Sequence, residues 1–274
     1  MNVEELSRLK ETAKKIRIHI VTMIASSGSG HPGGSLSIAD IMAYLYFKEM
    51  NIDPSNADDP SRDRFILSKG HAAPVLYSTL ALKGFFPEED LPTLRNINSH
   101  LQGHPHRLDT PGVEASTGSL GQGFSMASGM AIGMKQSGLN SRVFTIIGDG
   151  ESQEGQIWET AMSAGFRGLS NFCAFLDYNN QQIDGLVSDI KDIAPVKEKW
   201  ESFGWNVIEI DGHDFTEIEH GISEFKLESI KPTMIIARTT KGKGVSFMEN
   251  NLTFHGTAPD SKELEIALKE LNNG

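Results

Sequence analysis

Two short apolar runs each lead into residues that could hold a cation. Val143-Phe144-Thr145-Ile146-Ile147 runs into Gly148-Asp149-Gly150, and Phe172-Cys173-Ala174-Phe175-Leu176 leads to Asn179-Asn180. Both runs are continuously apolar and bounded by turn residues, the pattern of parallel strands buried on both faces. Ser152 to Phe166, between them, is long enough for a crossover helix. A strand-helix-strand unit brings the carboxyl ends of its strands to one sheet edge. Asp149 and Asn179 are therefore expected side by side, each offering a hard oxygen. That pair suits magnesium, which takes few protein ligands and shares its other positions with phosphate and water. Gly150 lets the backbone approach a phosphate closely. Gly-Asp-Gly alone is an ordinary turn; the spacing and the flanking strands raise it to an expected magnesium diphosphate site.

Four of the nine histidines lie in loops punctuated by glycine or proline. His31 sits in Gly-His-Pro-Gly, His71 in Lys-Gly-His-Ala, His104 in Gly-His-Pro-His and His255 in Phe-His-Gly. Their spacings match no zinc pattern, and no cysteine assists them. Bonding to sugar hydroxyls, moving protons or meeting phosphate is the better reading, since imidazole titrates near neutral pH. His19, His213 and His220 lack such surroundings and are expected to be structural or exposed.

These residues need a scaffold, and composition allows one. The chain has 274 residues, 38% hydrophobic and 22% charged, which supports one large domain or two small ones with ample core. A net charge of −11 argues against a nucleic-acid partner. Diphosphate must then be neutralised locally, by metal, helix N-termini or histidines. The lone Cys173 falls inside an expected strand and is read as a core residue, which fits a reducing, cytoplasmic setting. The N-terminus runs amphipathic and is not read as a signal peptide, and no stretch approaches a membrane span.

Helical spacing predicts a first helix from about Val3 to Ala25. Ser26 to Gly34 reads as a glycine-rich loop. Ser37 is expected to cap a helix near Ile38 to Met50, with Asp40 as its capping-box partner. Arg64 to Leu67 is a strand candidate, and Pro74 to Lys83 a helix. Gly118 to Gly138 is a glycine-rich entry into a helix, where Ala127, Gly129, Ala131 and Gly133 would allow close packing on a sheet. Trp205–Ile210 and Thr233–Arg238 read as further strands, alternating with helices near Val196–Phe203 and Phe215–Ser229. Ser261 to Leu271 looks like a final helix. The alternation predicts an α/β fold with a parallel β-sheet flanked by helices, doubly wound.

The chain resembles the N-terminal, diphosphate-binding part of a transketolase, a thiamine-diphosphate enzyme. The matching segments run in family order: Ser29-Gly30-His31-Pro32-Gly33, Ser68-Lys69-Gly70-His71-Ala72, Gly103-His104-Pro105, Thr117 to Gly123, Gly148-Asp149-Gly150 through Glu154-Gly155, Asn179, Ile183-Asp184-Gly185 and His255-Gly256. Singly they are weak; jointly they are very specific. The resemblance implies a single diphosphate-binding domain over 1–274, belonging to the thiamine diphosphate-binding fold. By position it implies magnesium (or calcium or manganese in its place) on the side chains of Asp149 and Asn179 and the carbonyl of Gln181. Gly150, His71 and His255 would contact the diphosphate. Gly118, Leu120 and Ile183 would line the cofactor's rings. His31, His71, His104 and His255 would face the sugar, and Glu154 would join a glutamate network between the two active sites of a dimer. The cofactor supplies the carbanion chemistry; the protein anchors it, aligns the sugar and handles protons.

A full-length transketolase is much longer. Its pyrimidine-binding and C-terminal domains, with the glutamate that activates the aminopyrimidine, have no counterpart in this sequence. The expectation is a split enzyme: two of these chains with two of a C-terminal partner, active on sugar phosphates only when joined. The polar Asn272-Asn273-Gly274 after a helix-like segment reads as a natural terminus rather than a cut. Gly34-Ser35-Leu36 stands where many relatives carry Ala-Pro-Leu, so the loop near the sugar could differ in shape. Alternatives are a 1-deoxyxylulose-phosphate synthase-like or 2-oxoacid dehydrogenase α-like subunit, and a non-catalytic scaffold keeping the fold. A plain dinucleotide-binding domain fits less well, because no Gly-x-Gly-x-x-Gly follows the first strand.

Overall fold

The alternation of side chains along two strands decides the architecture. In β2 (Val143–Gly148), Phe144 and Ile146 join one apolar cluster while Val143 and Ile147 join another. In β3 (Phe172–Tyr178), Cys173 and Phe175 face the first cluster, and Phe172, Ala174 and Leu176 the second. A strand apolar on both faces must have helices on both sides. The computed structural model, which describes residues 1–273, has that three-layer arrangement. With β1 (Arg64–Leu67), β6 (Asn206–Asp211) and β7 (Thr233–Arg238), the strands form a five-stranded, fully parallel sheet in the order β1-β2-β3-β7-β6. A short antiparallel pair, β4 (Gln181–Gln182) and β5 (Gly185–Leu186), follows β3.

One face is covered by α1 (Val3–Ser27), α3 (Ala39–Tyr44), α4 (Ala73–Lys83) and α9 (Phe215–Leu227), with α10 (Ser261–Asn273) packed on α1. The other is covered by α5 (Gln122–Gln136), α6 (Gly155–Phe166) and α8 (Val196–Ser202). The short α2 (Pro32–Leu36) and α7 (Val187–Ile190) lie in the connections. α1 starts at a capping box: Asn2 Oδ1 accepts from Glu5 N–H at 2.8 Å, and Glu5 Oε2 accepts from Asn2 N–H at 3.1 Å. It stops at Gly28, whose φ of 62° is the left-handed conformation glycine adopts without strain. Removing a core side chain such as Phe175, fully buried in β3, would cost about 3–5 kcal/mol.

Several local expectations need correction. The glycine-rich loop is shorter than expected, because Pro32 starts α2. The helix expected to reach Met50 changes after Tyr44 into a π-helical turn, Leu45–Glu49. Ser37 is no N-cap: it ends α2, and its hydroxyl donates to Asp177 Oδ2 at 2.7 Å. Asp40 does not complete a capping box, since Arg17 holds it at 3.0 and 2.5 Å. Buried hydrogen bonds to charged groups are worth more than a local cap and override it. Finally, Gly129 and Gly133 do not pack on the sheet. Ala127 and Ala131 do; glycines two positions away on a helix face elsewhere, and a Cβ added at either would meet nothing within 4 Å.

Candidate active site

The site grows from the carboxyl edge of the sheet, where α/β folds bind ligands. Gly148 of β2 pairs with Asp177 of β3, so the turns that follow leave the sheet together. Asp149 is 3% exposed. Its Oδ1 accepts from Gly150 N–H at 2.7 Å, and its Oδ2 from Asn179 N–H at 3.0 Å and Asn180 N–H at 2.5 Å. The turn depends on Asn180 adopting φ 60°, which asparagine tolerates. Asn179 Oδ1 accepts from Gln181 N–H at 3.2 Å, and the Gln181 carbonyl accepts from Lys241 Nζ at 3.1 Å. A carbonyl has two lone pairs, so that oxygen keeps one free. Burial and then Asp177 push the Asp149 carboxyl up to about 6, against its N–H partners and Lys241. A buried carboxylate so placed favours a cation. Among the described residues, no three His, Cys, Asp or Glu side chains converge as a metal set. A cation here would be held by one carboxylate with neutral oxygens, the hard set expected for magnesium.

A cavity of about 210 Å³ opens beside these groups. Asp149, Gly150, Asn179 and Gln181 line it together with Leu120, Ile183, His71, His255 and Lys241. Gln181 Oε1 and Gln182 Nε2 are buried without a protein partner. Orphaned polar atoms on residues that line a cavity are what a bound polar ligand would satisfy.

Three of the four expected histidines form one cluster. Ring centroids lie 5.2 Å apart for His31–His71, 5.5 Å for His31–His255 and 5.4 Å for His71–His255. His104 joins from the next loop, its ring packed on Gly118, where an added Cβ would come within 3.1 Å. Burial is the main cause that depresses all four imidazoles. His31 and His255 fall to about 4, helped by Arg95 and by Lys241 respectively; Lys69 adds to His71 and Arg95 to His104. The rings are therefore neutral at pH 7, each able to donate at one nitrogen and accept at the other. Lys241 Nζ lies 3.0 Å from His255 Nδ1, which makes that nitrogen the acceptor and leaves the proton on Nε2. His31 Nδ1 has no protein partner.

Four buried charged residues at this edge escaped the sequence reading. Lys69, 2% exposed, donates to Asp177 Oδ2 and to the Gly34 carbonyl, both at 2.6 Å. Asp177 also accepts from Ser37 and Thr239, and despite burial these partners, led by Lys69, hold its carboxyl below the usual range. Glu151 accepts from Ser68 Oγ at 2.5 Å, Gly121 N–H at 2.8 Å and Gly148 N–H at 3.1 Å, which locks the loop before α5 to the turn after β2. Lys241, 3% exposed, is pulled down to about 8, chiefly by burial. The signals were there: a charge ending an apolar strand at Asp177, a lysine inside the Ser-Lys-Gly-His motif, and Thr-Lys-Gly-Lys-Gly after β7. Of the expected residues, Glu154 stands apart. It is exposed at the start of α6 and lines no part of the cavity. Ile183 is 66% exposed in the β4–β5 turn yet reaches the cavity wall.

The parallel sheet with a cavity at its carboxyl edge puts the chain among the α/β ligand-binding folds. The family described as transketolase, thiamine diphosphate binding domain, matches residues 9–272, and the chain belongs to it. It is 47% identical to a 6-deoxy-6-sulfo-D-fructose transketolase subunit, SqwG, from Clostridium sp. (strain MSTE9), over 98% of each chain. It is 41% identical to one subunit of an apulose-4-phosphate transketolase from Actinobacillus succinogenes, over the whole of both. Human transketolase is 38% identical over 98% of this chain, which spans only 42% of that protein. Among solved structures, the transketolase of Campylobacter jejuni superposes with a TM-score of 0.92 at 34% identity, covering 99% of this chain and 43% of that one. The chain thus spans about two fifths of single-chain transketolases and the full length of relatives named as subunits.

Proposed function

We propose that this chain is the N-terminal subunit of a two-subunit transketolase, which moves a two-carbon ketol unit from a ketose phosphate to an aldose phosphate. The observation that carries the reading is the convergence, in one cavity, of Asp149 and Asn179 with the neutral, half-buried His71 and His255. Asp149, the Asn179 amide and the Gln181 carbonyl would hold magnesium. The open Asp149 carboxylate and the orphaned Gln181 and Gln182 atoms fit a metal-diphosphate. Gly150, His71, His255 and Lys241 would take the diphosphate; Gly118, Leu120 and Ile183 would border the cofactor's rings. Thiamine diphosphate, when bound, supplies the carbanion chemistry that breaks and makes the carbon–carbon bond.

The chain's own residues then bind and move protons. His31, His71, His104 and His255 present neutral imidazoles, which can hold sugar hydroxyls in donor and acceptor roles and take up or release protons. The Lys241–His255 contact fixes the tautomer that directs the His255 Nε2 proton outward from the lysine. The partner is a C-terminal subunit carrying the pyrimidine-binding domain, in an α2β2 heterotetramer with Glu154 in a network between the two sites. The setting is cytoplasmic sugar-phosphate metabolism, the pentose phosphate pathway included; among the described residues no helix is long and apolar enough to cross a membrane.

Native mass spectrometry of the protein from its own cells tests the assembly. The expected result is a complex with a second chain, thiamine diphosphate and magnesium, which transfers ketol units between sugar phosphates. A cofactor-free homodimer with no second chain would overturn the reading.

A further inference from the structure

A buried ion network on the far side of the β7 loop touches the backbone on both sides of Lys241. Arg17 of α1 pairs with Asp40 of α3 through two hydrogen bonds, at 3.0 and 2.5 Å. Asp40 Oδ2 also meets His213 Nδ1 at 2.8 Å. On its other edge His213 Nε2 accepts from Thr240 N–H at 2.9 Å, so the imidazole carries its proton on Nδ1 and donates it to Asp40. Arg17 Nε donates to the Lys243 carbonyl at 3.1 Å. Gly242 N–H, between them, donates to the Gly33 carbonyl of α2 at 3.0 Å. The Lys241 side chain runs across Gly33, where a Cβ would come within 3.1 Å of its Cγ. Its Nζ then reaches the Gln181 carbonyl and His255.

Lysine is a long, flexible side chain, and holding it buried in one place costs rotamer entropy and desolvation. A strap fixed at residues 240, 242 and 243 removes much of its freedom before any ligand arrives, which is preorganisation. We propose that Arg17, Asp40 and His213 form a positioning clamp that sets Lys241 Nζ in the cavity where the diphosphate binds. This rests on the diphosphate reading of that cavity. It gives His213, a histidine outside the site cluster, a function exerted through Lys241 and not through contact with substrate.

A double-mutant cycle on the full chain tests it, with magnesium pyrophosphate as the probe and calorimetry as the readout. His213→Gln can keep one of its two contacts but not both, and Asp40→Asn weakens the Arg17 pair while preserving shape. Each is expected to weaken pyrophosphate about tenfold, the scale at which supporting residues alter ligand affinity. In a Lys241→Met background neither should weaken it further. Amide exchange at 239–244 should rise while β3 and β7 stay protected. An equal loss in the Lys241→Met background, or no loss in either single variant, would overturn the clamp. If the wild-type chain binds no pyrophosphate, the diphosphate reading fails instead. The clamp is then judged on exchange, and unchanged protection at 239–244 overturns it.

Discussion

Asp149 and Asp177 are buried to nearly the same degree at the ends of neighbouring strands, at 3% and 2% exposure, and their surroundings differ in kind. Asp177 is closed: Lys69, Ser37 and Thr239 satisfy it, and its carboxyl stays below the usual range. Asp149 is open: backbone N–H groups are its hydrogen-bond partners, Lys241 is turned to Gln181 and His255, and its carboxyl is pushed up to about 6. A closed ion pair ties segments together; here it links the loop carrying His31 and α2 to the end of β3. An open carboxylate has no side-chain cation bonded to it, the arrangement that the proposed metal site requires. The same residue type at the same sheet edge thus does structural or receptive work according to its counter-charge.

The largest expected effect comes from breaking the closed site. Asp177→Asn leaves Lys69 buried without a counter-charge and should destabilise the fold by about 3–5 kcal/mol, read from urea unfolding. Lys69→Met should do the same from the other side. Making both changes together should recover part of the loss, because neither leaves a lone charge. A cost below about 1 kcal/mol for either single change would mean that the pair does not tie these segments together.

The open site should respond the other way. Asp149→Asn removes a carboxylate that burial disfavours but also one of the two oxygens that accept backbone N–H groups, so the two effects offset and stability without added cation should stay within about 1 kcal/mol of wild type. Magnesium pyrophosphate affinity should fall at least about tenfold, measured by calorimetry. A stability loss as large as that of Asp177→Asn would erase the distinction between the two carboxylates.

The histidine cluster extends the contrast to pH. An ordinary histidine protonates near 6.5, while His31 and His255 resist until about 4. Between those values the unfolded chain binds more protons at these two residues than the folded one, so through them acid favours unfolding, while Asp149, raised to about 6, offsets part of the effect. Stability contributed by these groups is unchanged above pH 6.5, falls as the pH drops from 6.5 to about 4, and levels off below. Urea midpoints taken across that range should show the slope. His31→Gln should flatten it in part, with His71 and His104 keeping the remainder, whereas Asp177→Asn should lower the whole curve; a slope undiminished by both His31→Gln and His255→Gln would place its cause elsewhere.

The open half of the site was more legible than the closed half, for a physical reason. Asp149 and the four histidines sit in turns rich in glycine and proline, which punctuate a sequence visibly, and Asn179 opens a polar Asn-Asn pair at the end of an apolar run. The strands around them announce themselves by continuous apolar runs, and Arg64–Leu67 and Thr233–Arg238 lie where the pattern put them. Lys69, Asp177 and Lys241 were missed because their meaning lies in long-range pairing, at separations of 108 and 60 positions for Lys69–Asp177 and Lys241–Gln181. Ser37 and Asp40 misled for the same reason: a local capping rule was overridden by partners 140 and 23 positions away. Gly129 and Gly133 misled because small residues permit close packing without requiring it.

The smallest expected effect falls on Glu154. It is exposed, lines no part of the cavity, and packs its Cβ no closer than 3.4 Å to the position a Gly121 side chain would take. Among the described residues its carboxylate has no hydrogen-bond or ion-pair partner. Glu154→Gln should therefore leave the stability of the isolated chain within about 0.5 kcal/mol and magnesium pyrophosphate affinity unchanged. A network between two sites would reveal itself only in the assembled protein, as a slower ketol transfer or a change in how occupancy of one site affects the other. Were the isolated chain to lose pyrophosphate affinity on this change, Glu154 would belong to the open site after all, and that site would extend past the cavity to the start of α6.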